Sequence, residues 1–86
     1  MAVIYGCGVS EKLVRRQCSD GEVEQTLAAG VEAEAHSGRE ARTLVFPFQG
    51  DWRGRQYQEK EVKVVFIREG DDVIVVSVTT RFGRFT

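Results

Sequence analysis

Histidine, proline, tryptophan and methionine each occur once in this 86-residue chain, and cysteine only twice. Each scarcity removes a class of chemistry or architecture. With His36 the single imidazole, and with Cys7 and Cys18 in no CxxC or HxxxH spacing, a zinc site would have to be built mainly from carboxylates. The two cysteines read as reduced, partly buried thiols. The metalloprotease HExxH, the nucleophile elbow GxSxG, the phosphate loop G-x-x-x-x-G-K-S/T and the dinucleotide GxGxxG are all missing. Hydrolases and nucleotide enzymes of those kinds are not expected, and neither is a metal or cofactor. No stretch approaches the roughly 20 apolar residues of a membrane span. The opening Met1-Ala2-Val3-Ile4-Tyr5 is apolar but short and without a charged leader, a poor signal peptide, so a cytoplasmic protein is expected.

What remains is the composition of an ordinary soluble globular domain, with 42% hydrophobic and 29% charged residues. A chain this short has room for one core, so residues 1–86 are read as a single domain. Twelve Lys+Arg against thirteen Asp+Glu leave a net charge of −1, which argues against a generally basic nucleic-acid protein but permits a local basic patch.

Gly6 and Gly8 separate the first apolar run from a short helical segment capped by Ser10, with Val9, Leu13 and Val14 on one side, running to about Cys18. Ser19-Asp20-Gly21-Glu22 then fits the S-x-x-E capping box. Val23, Leu27 and Ala28 form the apolar side of the second helix, and Gly30 is a plausible stop. From Val31 the period changes: Val31, Ala33 and Ala35 alternate with Glu32, Glu34 and His36, giving a strand with one acidic, solvated side. A second strand is expected from about Glu40 to Phe48, and Pro47 marks an edge or a bulge because it lacks an N–H donor. Gln49–Arg55 reads as an exposed hairpin loop. Val62–Arg68 and Val73–Thr80 are strands joined by the Glu69–Asp72 turn. In the last strand Val73 and Val75 face one way and Ile74, Val76 and Val78 the other, so both sides are apolar and one needs a cover that two helices cannot supply.

Charge is uneven along the chain. Residues 1–50 carry five basic and seven acidic side chains, and residues 51–86 carry seven and six. Three of those six acids lie in the Glu69–Asp72 turn. The remaining bases, Arg53, Arg55, Lys60, Lys63, Arg68, Arg81 and Arg84, are interleaved with Trp52, Tyr57, Phe82 and Phe85. Guanidinium groups that grip phosphates beside rings that stack on unpaired bases are what an RNA-contacting surface requires. His36 is the default acid–base candidate, but beside Glu32 and Glu34 it reads as part of a solvated strand face.

Two stretches carry a family resemblance. Tyr5-Gly6-Cys7-Gly8-Val9-Ser10-Glu11-Lys12-Leu13-Val14-Arg15-Arg16-Gln17-Cys18-Ser19 has the rhythm "Y-x-x-H-A-x-x-R-M-x-x-R-G-I-S". Arg53-Gly54-Arg55-Gln56-Tyr57-Gln58-Glu59-Lys60-Glu61-Val62-Lys63-Val64-Val65 matches "R-G-x-x-Y-x-E-K-x-V-K-V-V", and Arg81-Phe82-Gly83 ends the last strand. In these the chain resembles a small prokaryotic domain family grouped with RelE- and BrnT-like toxins. The resemblance implies an α+β fold with two N-terminal helices packed on a four-stranded, mainly antiparallel sheet. It also implies RNA as target and an antitoxin-like protein as partner. Under it Lys63, Arg55 and Arg81 are the candidate catalytic residues of a metal-independent ribonuclease. Arg53, Tyr57, Trp52, Arg84, Lys12 and Arg16 are the candidate RNA-binding ones. Aligned without gaps, the family histidine falls on Gly8, which moves no proton, so weakened catalysis is implied. A lysine lowered in pKa by neighbouring bases, Lys60 or Lys63, could substitute, but nothing in the sequence requires it. The alternative is a non-catalytic interaction domain whose exposed sheet face binds a second subunit or an antitoxin-like segment.

Overall fold

Alternating apolar positions over the last third of the chain dictate long strands, because one side of each then leaves water while the backbone pairs with its neighbours. The computed structural model describes residues 2–6, 8–9, 18–35, 38–52 and 54–84, without the side chains of Gln49 and Trp52. In chain order the elements are β1 (Val3–Tyr5), helix α1 (Asp20–Ala29), β2 (Val31–Ala33), β3 (Glu40–Trp52), β4 (Arg55–Glu69) and β5 (Asp72–Gly83). They make a five-stranded sheet in the order β1-β5-β4-β3-β2. Strand β1 lies parallel to β5, and the other neighbours are antiparallel.

This replaces the expected two helices on a four-stranded, mainly antiparallel sheet. Among the described residues there is one helix, and the sheet is mixed because β1 adds a parallel edge. The first expected helix falls on residues 10–17, outside the described residues. Three residues are too few for β1 to show a period, and its place beside β5 is set by a non-local crossing that no turn motif announces. The expected loop Gln49–Arg55 is also corrected. Strands β3 and β4 continue to Trp52 and Arg55, which pair directly across a tight turn where Gly54 adopts φ 81°. Its polar side chains hid this ribbon, since it has no apolar side to show.

Helix α1 begins as the sequence says. The Ser19 hydroxyl accepts from the Glu22 backbone N–H, and the Glu22 carboxylate accepts from the Ser19 backbone N–H at 3.0 Å. The buried side is Val23, Thr26 and Leu27, whereas Ala28 is exposed. Thr26 fits there because its hydroxyl donates to the Glu22 carbonyl at 2.7 Å. At the other end Arg42 donates to the Leu27 carbonyl, placing a cation at the helix C-terminus. Gly30 stops the helix in extended backbone. A Cβ there would lie 2.4 Å from the Thr26 carbonyl oxygen and 2.8 Å from that of Thr43, so only glycine lets β2 turn onto β3 this closely.

The helix packs on β3 and β4. Beneath it lies a core of Val9, Cys18, Val23, Leu27, Phe46, Val62, Val64, Phe66, Val73, Val75 and Val78. Val78 belongs to this side, not with Ile74 and Val76 as the alternation suggested. Phe66 pairs with Val75 but Val65 with Ser77, so Val76 is an extra residue and the strand changes sides after it. A second register shift between Pro47 and Gly50 lies where the proline was expected to mark an edge or bulge, and it is both: β2 pairs with β3 only as far as Thr43. Strand β2 itself is short and exposed. Val31 is 71% accessible, so this strand has no buried side.

Candidate functional site

The face of the sheet opposite α1 follows from the registers. Across it run Ile4–Ile74–Ile67, then Ala33–Ala41–Val65–Ser77, then Val31–Thr43–Lys63–Thr79, then Val45–Glu61–Arg81. One end is therefore apolar and the other is a charged strip. Ile4 is 45% accessible, and Ile67, Ile74, Val65 and Val76 are part-exposed. Among the described residues no element lies over them. Around the strip Ala33, Thr43, Glu61, Lys63, Thr79 and Arg81 line a shallow depression of about 400 Å³. Arg81 is held by Glu61 through Nη2 at 2.6 Å and Nε at 3.0 Å to the same carboxylate oxygen.

Two of the three proposed catalytic residues therefore meet. Lys63 and Arg81 are diagonal neighbours, about 7–8 Å apart by sheet geometry. Arg55 does not join them. It sits eight residues along β4, about 27 Å away at 3.3–3.4 Å per residue. In the strip the carboxylate of Glu61 is occupied by Arg81.

The hairpin end collects other candidates. Tyr57 and Arg84 line a groove of about 770 Å³ with Pro47, Gly50, Gln56, Gln58 and Glu59. The Tyr57 ring rests against Phe82 at 5.8 Å between centroids, and Phe82 in turn on Phe48 at 4.8 Å. The backbone of Trp52 pairs with Arg55 at the tip. The Trp52 side chain, Arg53, Lys12, Arg16, His36, Cys7 and Phe85 lie outside the described residues.

Lys60, weighed above as a substitute acid, has a structural role. It is 6% accessible and its Nζ meets the Glu22 carboxylate at 2.8 Å, 5.7 Å above the Phe48 ring. Cys18 is buried nearby as a free thiol. Burial first, and then the Glu22 carboxylate, push its pKa up to about 11, with Lys60 opposing. Burial also raises Tyr5, followed by the charges of Asp20 and Glu24. Its hydroxyl has no hydrogen-bond partner among the described residues.

No family model, curated protein or solved structure matches the chain. Among the described residues no helix is long and apolar enough to cross a membrane, and no three His, Cys, Asp or Glu side chains converge as metal ligands. The residues that sequence reasoning missed are Glu61, Thr43 and Thr79 beside Lys63, and Ile4 and Ile67 beside Ile74 at the apolar end. The β4 alternation Glu59, Glu61, Lys63, Val65, Ile67 was the available signal; its cross-strand partners needed the register.

Two outcomes test the helix-side cluster. Glu22→Gln retains a capping-box side chain but removes the carboxylate from the buried Lys60 ammonium, and should cost about 3 kcal/mol, the low end for a broken buried pair because Glu22 is part-exposed. Urea titration should show most of that loss recovered in Glu22→Gln/Lys60→Met. For Cys18, the folded state holds the thiol proton more tightly than an unfolded chain titrating near 9.0. Its contribution is full below pH 9 and disappears as pH rises to about 11, so the alkaline fall in stability should be shallower in Cys18→Ala.

Proposed function

We propose that this chain is a cytoplasmic, non-catalytic interaction domain that docks a protein partner on the sheet face opposite α1. The observation that carries this reading is the apolar end of that face, Ile4, Ile67, Ile74 and Val65, with no described element over it. Contiguous exposed apolar surface rimmed by charge is the mark of a docking site. The distance of Arg55 from Lys63 and Arg81 along β4 also favours docking over a catalytic site shared by these three residues.

RNA contact is the second reading. It is favoured by one observation, the groove that sets Tyr57 beside Arg84 at the hairpin end. Salt-sensitive RNA binding in EDTA, lost in Arg55→Ala/Arg84→Ala, would bring it forward.

The docking reading is tested by placing charge on the two faces. Ile67→Asp/Ile74→Asp should keep the far-UV circular dichroism and a cooperative melt, whereas Val64→Asp, on the helix side and fully buried, should fail to fold. An unfolded Ile67→Asp/Ile74→Asp chain would make the outer face a second core and end the reading.

A further inference from the structure

Resting on that reading, we infer that the partner is a second copy of this chain, related by a two-fold axis parallel to the strands and lying between β4 and β5. The face is complementary to itself under that operation. A two-fold along the strands keeps each cross-strand row opposite the same row and exchanges β4 with β5. Glu61 is registered with Arg81, so each copy's Glu61 then faces the other's Arg81 twice over. Lys63 faces the Thr79 hydroxyl, and Ile67 faces Ile74, so charge meets opposite charge at one end and apolar meets apolar at the other.

Three further features favour this occupant. The charged strip mixes signs, with Glu61 beside Lys63 and Arg81, so a partner carrying the same mixed pattern can meet each charge with its opposite or with a hydroxyl. The outer face projects on the order of 700 Å², taking about 4.8 Å between strands and about 3.3 Å per residue, close to the roughly 800 Å² per partner of a stable interface. Docking by an added strand is disfavoured on the β3 side, where Pro47 and the bulge interrupt the edge beyond Thr43. Sheets packed face to face stay within about 30° of alignment, so side chains as long as arginine and glutamate reach across near the axis.

Sedimentation equilibrium of the full chain tests this with two charge variants. The wild type should be a reversible dimer, and Arg81→Glu or Glu61→Arg alone should weaken it at least about tenfold, since like charges then face each other. Mixing the two variants should restore association as a heterodimer, because each acidic pair then meets a basic pair. The internal Glu61–Arg81 bond stays broken in both chains, so a purely structural effect would not be rescued by mixing. A wild type monomeric to about 100 µM, with Ile67→Asp/Ile74→Asp still folded, would overturn the second copy and leave the face to a different protein. A dimer indifferent to both charge variants would overturn the proposal by placing the contact elsewhere.

Discussion

The ion pair between Glu22 and Lys60 ties the single described helix to the sheet, and much of the helix-side arrangement depends on it. Glu22 serves two structures at once. It closes the capping box on Ser19, and it neutralises an ammonium buried in the middle of β4. A lysine this far from water is stable only when paired, so the helix must begin where Glu22 can reach it. That position sets Val23, Thr26 and Leu27 over Val62, Val64 and Phe66. At the other end Gly30 and Arg42 hold the helix terminus against β3.

With the helix fixed on one side, the character of the opposite side follows. The bulge at Val76 divides β5 between the faces, sending Val78 into the core and leaving Ile74 and Val76 outside. The meander then assembles isoleucines from three strands into one apolar end and brings Glu61, Lys63 and Arg81 into one strip. The same registers separate Arg55 from Lys63 and give Lys60 a structural partner. A basic, aromatic-rich sequence segment therefore becomes two distant regions with different neighbours.

Several features were legible in the residues. The capping box at Ser19–Glu22, the Val73 strand and its turn, and the break at Pro47 each rest on local chemistry that a short window displays. Strand β1 and the long polar ribbon near Trp52 were not legible, because one is too short to show a period and the other has no apolar side. Ala28 and Thr26 exchanged their expected places because a hydroxyl bonded to the backbone four residues earlier can be buried like a small apolar group.

The sequence by itself determined the local elements: where the helix starts, which segments must be strands, and that the last strand has more apolar side chains than one face can hold. These follow from propensities and hydrogen bonds within a few residues. Only the tertiary structure decided which side chains share a face. A single inserted residue reverses every later side chain in a strand, and cross-strand neighbours are chosen by pairing between segments distant in the chain.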